Sequence, residues 1–217
     1  MDFEQAKLNM VEQQIRTWEV LDQNVLDSIT AIPRDAFVPD GYRTLAYSDT
    51  SIPLGYGQTM MTPKLEARII QTLNLTQNDR VLEIGTGSGY LTALLADRGG
   101  FVTSVEIIPG LLEIARANLD AHGMNNIGFA HGNGIEGWKS NEPYEAIVLT
   151  GSVANPVPLI ERQLTIGGRL FMVIGKSPVM DAVLITRVDE EVFRSESLFE
   201  TDVEPLTGGE AELKFQF

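Results

Sequence analysis

The sequence predicts an α/β domain with a central, mostly parallel sheet. Three observations predict it. From residue 80 to residue 174, short apolar runs alternate with segments of helical period, the pattern of successive βαβ units. The first run, RVLEI at 80–84, passes straight into the glycine-rich GTGSG at 85–89 and then into a helical segment. Beyond residue 182 the alternation stops. Two β-like runs, 182–188 and 192–199, are joined by Asp189, Glu190 and Glu191 with no helix between, which predicts an antiparallel hairpin at the sheet edge.

Each element follows from local pattern. Residues 4–30 are helix-like, with Leu8, Val11, Ile15 and Trp18 on one apolar face. A second helical run over 22–32 ends against Pro33. Residues 33–57 carry scattered Pro and Gly and read as loop. Pro63 suits a helix start, followed by Leu65, Ala67, Ile69, Ile70 and Leu73. Then come strand 80–84, helix 90–98 stopped by Gly99 and Gly100, strand 101–106, and helix 109–122 closed by Gly123. A weak strand 127–130, strand 144–150, a short helix 158–164 and strand 169–174 complete the alternation. The chain 1–217 reads as one domain: an N-terminal helical cap and substrate-side loop in 1–79, a ligand-binding core in 80–175, and an edge hairpin and tail in 176–217.

Composition narrows the chemistry. Hydrophobic residues make up 43% of the 217, enough for a sizeable core. Thirty Asp and Glu against sixteen Lys and Arg give a net charge of −14. That field repels phosphate backbones and anionic lipid, so neither nucleic acid nor membrane is expected as a partner. The excess is densest in 176–217, with ten acidic and four basic residues. Cysteine is absent, which excludes disulfides and thiolate catalysis. With only His122 and His131, no metal site is expected. The start MDFEQAKLNM lacks a cationic and then apolar leader, and no run approaches the ~20 apolar residues of a membrane span. A cytoplasmic monomer is expected.

The chemical signal is VLEIGTGSGY at 81–90. Gly85, Gly87 and Gly89 let the backbone turn sharply and approach a ligand at the carboxyl end of a strand. The spacing G-x-G-x-G is not that of a phosphate loop, and no Lys follows to hold a phosphate. A nucleoside with a small zwitterionic arm suits it better than pyrophosphate. Glu106, ending the second strand, can accept both hydroxyls of a ribose. GNG at 132–134 follows the weak third strand, where a polar side chain meets a purine edge. Alone, the glycines fit any strand–helix turn and Glu106 any solvated strand end. Together, in this order, they describe the S-adenosyl-L-methionine (SAM) site of a Rossmann-like class I methyltransferase. The site is assigned to Gln58, Glu83, Gly85, Thr86, Gly87, Ser88, Gly89, Tyr90, Glu106, Ile107, Gly132, Asn133 and Gly134.

The rest of the chain resembles one family. MVEQQIRTWEVLDQNVLDSITAIPRDAFVP at 10–39, AYSDTSIPLGYGQTMMTPKLEARII at 46–70, VLEIGTGSGYLTALLA, SVE at 104–106, GNGIEGW at 132–138, YEAIVLT and GGRLFMVIG at 167–175 resemble the protein-L-isoaspartate O-methyltransferases. The likeness runs from about residue 8 to residue 206, and PLGYGQT at 53–59 is its most specific piece. It implies a SAM-dependent enzyme that esterifies the α-carboxylate of L-isoaspartyl residues in aged proteins, with S-adenosylhomocysteine as product. A carboxylate is already ionised at pH 7, so the absence of an evident general base fits this reaction.

Three departures fall mainly on the acceptor side. The family continues its QT with Ile-Ser, and the serine is credited with catalysis; here Met60 and Met61 stand there. Methionine donates no hydrogen bond. Thr62 and Thr59 are the nearby hydroxyls and are the catalytic candidates, although a one-residue shift ordinarily turns a side chain elsewhere. The family's GDG is GNG here, and the Asn133 carbonyl still accepts from an adenine amino group. The family tail Phe-Val-Pro-Leu is Val203-Glu204-Pro205-Leu206 here, which puts Glu204 with Met60 and Met61 in the predicted acceptor pocket. Two alternatives therefore stand: a methyltransferase with another acceptor, small molecule or protein group, or a cofactor-binding interaction protein without isoaspartyl turnover. Trp18 and Trp138 read as packing residues and His131 as a loop residue; Lys64 and Arg43 are candidate partners for a carboxylate and otherwise read as surface cations.

Overall fold

The structure, a computed structural model, describes residues 2–210. Met1 and residues 211–217 of the predicted tail lie outside them. Asp2 caps α1 (Phe3–Met10) by accepting from the N–H groups of Glu4 and Gln5. The helix does not run on to residue 30. It passes into a π-turn at 11–15 and a 3-10 turn at 16–18, and stops at Glu19 in the left-handed region. Val11 and Ile15 are buried as expected, but Leu8 is 53% exposed. Helix α2 (Gln23–Ala31) is capped by Asp22 and ends before Pro33.

The predicted loop 33–57 holds more order than its composition suggests. It contains 3-10 turns at 34–37 and 40–45, then β1 (Ile52–Gly55), which pairs with β2 (Gln58–Met60). Gly55, Tyr56 and Gly57 all take positive φ at the hairpin tip, which two glycines make tolerable. Pro63 begins α3 (Pro63–Leu73), and Asn74 in the left-handed region ends it.

From there strand and helix alternate: β3 (Arg80–Ile84), α4 (Tyr90–Arg98), β4 (Phe101–Glu106), α5 (Pro109–Ala121), β5 (Ile127–His131), β6 (Tyr144–Val153), α6 (Pro158–Glu161) and β7 (Leu164–Lys176). Two long strands, β8 (Val179–Asp189) and β9 (Val192–Thr201), follow. The seven-stranded sheet has the order β5-β4-β3-β6-β7-β8-β9. Strands β3 to β7 pair in parallel, and β8 and β9 add antiparallel at the edge, as the sequence predicts. The central strands are buried on both faces and so read as continuous apolar runs. Edge strand β9 is mostly exposed and carries Arg194, Glu196 and Glu200, charges that blunt edge pairing.

One boundary moved for a topological reason. The predicted helix 158–164 stops at Glu161, because Tyr144 N–H donates to the Gln163 carbonyl and Leu164 already pairs with Tyr144. The fold places its ligand site by connectivity. The chain steps from β3 outward to β4 and β5, then returns to the other side of β3 as β6. Such a reversal opens a crevice at the carboxyl ends of the strands.

Candidate active site

A cleft of about 560 Å³ occupies this crevice. Its floor is the loop after β3. Gly85, Gly87 and Gly89 have φ of 100°, 57° and 87°, values that side-chain-bearing residues rarely adopt. At Gly85 a Cβ would overlap the Thr150 hydroxyl, which donates to the carbonyls of Ile84 (3.0 Å) and Gly85 (2.8 Å) and so pins the loop to β6. At Gly89 a Cβ would stand 2.9 Å from Leu119 Cδ1 and 3.2 Å from Ala115 Cβ, so glycine there lets α4 start hard against α5.

Glu106 closes one side. It is 4% exposed, and its two oxygens accept from Gly87 N–H (3.0 Å) and Ile108 N–H (2.9 Å). Gly132 N–H donates to the Glu106 carbonyl at 3.0 Å, which joins 132–135 to the end of β4. Ile107, Gly132, Asn133 and Gly134 line the cleft, as do Thr86, Ser88 and Tyr90. Asn133 Oδ1 already accepts from Ile135 N–H at 3.0 Å.

Two of the predicted cofactor residues, Glu83 and Gly89, do not line the cleft; Gly89 packs against α5, and Glu83 lies on the far side of the loop. It is fully buried beneath the loop, where its Oε2 accepts from the hydroxyls of Ser104 (2.6 Å) and Thr92 (2.5 Å). Ser104 Oγ lies 2.6 Å from Thr86 Oγ1, so the carboxyl group supports the glycine loop from below. Burial pushes the Glu83 carboxyl up to about 8; the two hydroxyl hydrogen bonds oppose this, and the charge of Glu106 reinforces it.

The opposite wall comes from β2 and the start of α3. Gln58, Thr59, Met60, Met61 and Thr62 all line the cleft. Met60 is 4% exposed and belongs also to the hydrophobic core. Thr62 is the N-cap of α3. Its carbonyl accepts from the N–H groups of Leu65 and Glu66, its hydroxyl makes no capping bond, and the residue lines the cleft. Thr62 and Met61 both line the cleft despite the one-residue shift between them.

Sequence reasoning missed what holds this wall. Arg34, fully buried, donates to the Ala46 carbonyl (2.8 Å), to the Met61 carbonyl (2.6 Å) and to the Glu66 carboxylate. Its guanidinium also lies 4.9 Å from the centre of the Tyr90 ring. Burial lowers the arginine to about 10, so it stays charged at neutral pH. Glu66 carried the available signal, since it falls on the apolar face of α3 among Leu65, Ile69 and Ile70. The surface reading of Lys64 and the packing-only reading of Trp18 are corrected, since both line the cleft, whereas Arg43 pairs with Asp35 outside it.

The third wall is the segment after β9. Ser152 N–H donates to the Glu204 carbonyl and Leu206 N–H to the Ser152 carbonyl, both at 3.0 Å. Leu206 thereby lies beside the glycine loop, its Cδ2 3.3 Å from where a Cβ would sit on Gly85. Glu200, Asp202 and Glu204 are exposed along this rim.

The family model for protein-L-isoaspartate(D-aspartate) O-methyltransferases matches residues 5–211. A protein-L-isoaspartate O-methyltransferase of Syntrophus aciditrophicus is 41% identical over 191 residues, covering 88% of this chain and 87% of that protein. A protein-L-isoaspartate O-methyltransferase 1 of Rhodopseudomonas palustris is 40% identical over 209 residues, covering 96% of this chain and 85% of that protein. A solved protein-L-isoaspartate O-methyltransferase superposes with a TM-score of 0.79 at 27% identity, covering 94% of this chain; the chain spans 65% of that solved one. A Plasmodium falciparum structure in complex with S-adenosyl-L-homocysteine has the same fold, with a TM-score of 0.78 at 18% identity and coverage of 95% and 98%. The chain belongs to the protein-L-isoaspartate(D-aspartate) O-methyltransferase family.

Proposed function

We propose that this protein is a SAM-dependent O-methyltransferase that esterifies the α-carboxylate of L-isoaspartyl residues in proteins or peptides. The observation that carries the reading is one cleft with the glycine loop as its floor, Glu106 on one side and Thr62 on the opposite wall. The floor fits the cofactor: it is built of glycines whose backbone a ligand can approach closely, and Glu106 keeps unused acceptor sites on both oxygens. When bound, SAM supplies an activated methyl group on sulfur; the acceptor oxygen forms a bond to that carbon as the carbon–sulfur bond breaks, the bonding pair stays on sulfur, and an ester and S-adenosyl-L-homocysteine result.

The chain's residues have correspondingly modest tasks. Glu106 receives the ribose hydroxyls. Asn133 meets the adenine edge; its oxygen accepts from Ile135 N–H and keeps a second acceptor site for the adenine amino group. Thr62, with Thr59 beside it, donates to the acceptor carboxylate and orients it. The 203–206 segment keeps water from the site. No general base is required, since the carboxylate arrives ionised.

Transfer of radiolabelled methyl from SAM to an isoaspartyl peptide, and not to its aspartyl counterpart, is the expected result. SAM binding without transfer overturns isoaspartyl activity. The exposed carboxylates of Glu200, Asp202 and Glu204 favour a second reading, a methyltransferase for a neutral or cationic acceptor. That reading gives SAM binding and turnover only with acceptors lacking the carboxylate.

A further inference from the structure

We propose that Lys64 is the residue that captures the acceptor carboxylate, and that Asp49 occupies it until the acceptor arrives. The assignment rests on the isoaspartyl reading. Among the described residues, Lys64 is the one cationic side chain lining the cleft. Five carboxylates line the same cleft: Glu66, Glu106, Glu200, Asp202 and Glu204. Glu66 is already matched by Arg34. An entering carboxylate therefore meets like charge on most sides and opposite charge at one point.

The geometry around Lys64 suits exchange of one carboxylate for another. Its Nζ lies 2.7 Å from Asp49 Oδ2 and 4.3 Å from the centre of the Trp18 ring, and Trp18 also lines the cleft. Trp18 is steadied in turn by an edge contact with Phe199, ring centres 5.7 Å apart. The aromatic face holds the ammonium by cation–π attraction whichever carboxylate it serves. The Lys64 and Asp49 side chains are 23% and 36% exposed, so their pairing is a partly solvated one of small net strength. An ammonium carries three donors on a flexible stem and can turn from Asp49 to a second anion. Lys64 also lies in the first turn of α3, two residues from the Thr62 hydroxyl at the helix N-cap.

The chemistry fixes what such a residue does to the rate. As the ester forms, the acceptor oxygen loses negative charge. Lys64 thus holds the free carboxylate more strongly than the transition state. It serves binding, and its removal raises KM without lowering kcat. A lysine that merely tied the 49 loop to α3 would give no such split.

The experiment compares wild type with Lys64→Met and Asp49→Asn, using an isoaspartyl peptide and SAM at saturation, with calorimetric binding of the same peptide to the S-adenosylhomocysteine-loaded protein. Lys64→Met is expected to raise KM and peptide Kd by about tenfold or more, with kcat equal to or above that of wild type. Asp49→Asn is expected to lower KM, because the competing carboxylate is gone. A KM within twofold of wild type in Lys64→Met, or a loss confined to kcat, overturns the assignment. If Lys64→Met does not fold, Asp49→Asn decides: a lower KM supports the assignment and an unchanged or higher KM overturns it. Wild-type protein that binds SAM but methylates no isoaspartyl peptide overturns the activity itself, and the role of Lys64 with it.

Discussion

Arg34 and Glu66 form an ion pair in which neither side chain exposes more than 3% of its surface. The pair joins the 3-10 turn at 34–37 to α3, and through the Met61 carbonyl it sets the wall that carries Thr62. Removing one partner leaves an uncompensated buried charge. Glu66→Ala is expected to cost about 3–5 kcal/mol, read by urea denaturation. The double variant Arg34→Met with Glu66→Leu is expected to cost clearly less than Glu66→Ala alone. Equal or greater loss in the double variant would show that the pair is not a coupled unit.

Glu83 makes stability depend on pH in an unusual direction for a carboxyl group. Its value in the folded protein, about 8, lies above the ordinary 4.5. Between those values the folded state keeps a proton that the unfolded state has released. Stability therefore falls as pH rises through that window, and the contribution present below about 4.5 is gone above about 8. Glu83→Gln removes this dependence, because the amide is neutral at every pH. Urea midpoints of the two proteins, taken from pH 5 to pH 9, are expected to diverge in favour of Glu83→Gln as pH rises. Parallel curves would mean that Glu83 does not hold its proton when folded.

Thr62 offers a hydroxyl where Met61 cannot. Thr62→Ala is expected to lower kcat on the isoaspartyl peptide about tenfold, the worth of one hydrogen bond to a charged group, while SAM affinity stays within twofold. Met61→Ser placed in the Thr62→Ala background is expected to restore turnover. Unchanged kcat in Thr62→Ala would remove that hydroxyl from the reaction.

Glu106 accepts from two backbone N–H groups, and in the proposed function it accepts from a ribose as well. A glutamine presents one oxygen and one N–H₂, so either Gly87 or Ile108 would face a donor. Glu106→Gln is expected to weaken SAM binding about thirtyfold or more by calorimetry, roughly the loss of a charge-assisted contact plus an orphaned donor. Wild-type affinity would place the ribose elsewhere.

The parallel core was legible because its strands are buried on both faces and leave long apolar runs between glycines. The cofactor wall was legible for a related reason: Gly85 to Glu106 lie in one βαβ unit, so their meeting is nearly local. The acceptor wall was not. Arg34 meets Glu66 across 32 residues, and Trp18 meets Lys64 across the break between α1 and α3, so no local pattern announces either contact. The hairpin β1–β2 was hidden by Pro53 and its glycines, which compose a loop in sequence and an edge turn in space. Glu83 precedes the glycines, but strand alternation sends it beneath them, to Ser104 and Thr92.

The hydrogen bonds between Ser152 and the 204–206 segment make the last wall of the crevice depend on residues beyond the final strand. A nascent chain made only to residue 199 already holds the glycine loop, Glu106, Asn133, Lys64 and Thr62. It lacks Leu206 against the loop and has only the open strand β6 where the last wall will lie. A chain ending there would leave the crevice walled on two sides instead of three.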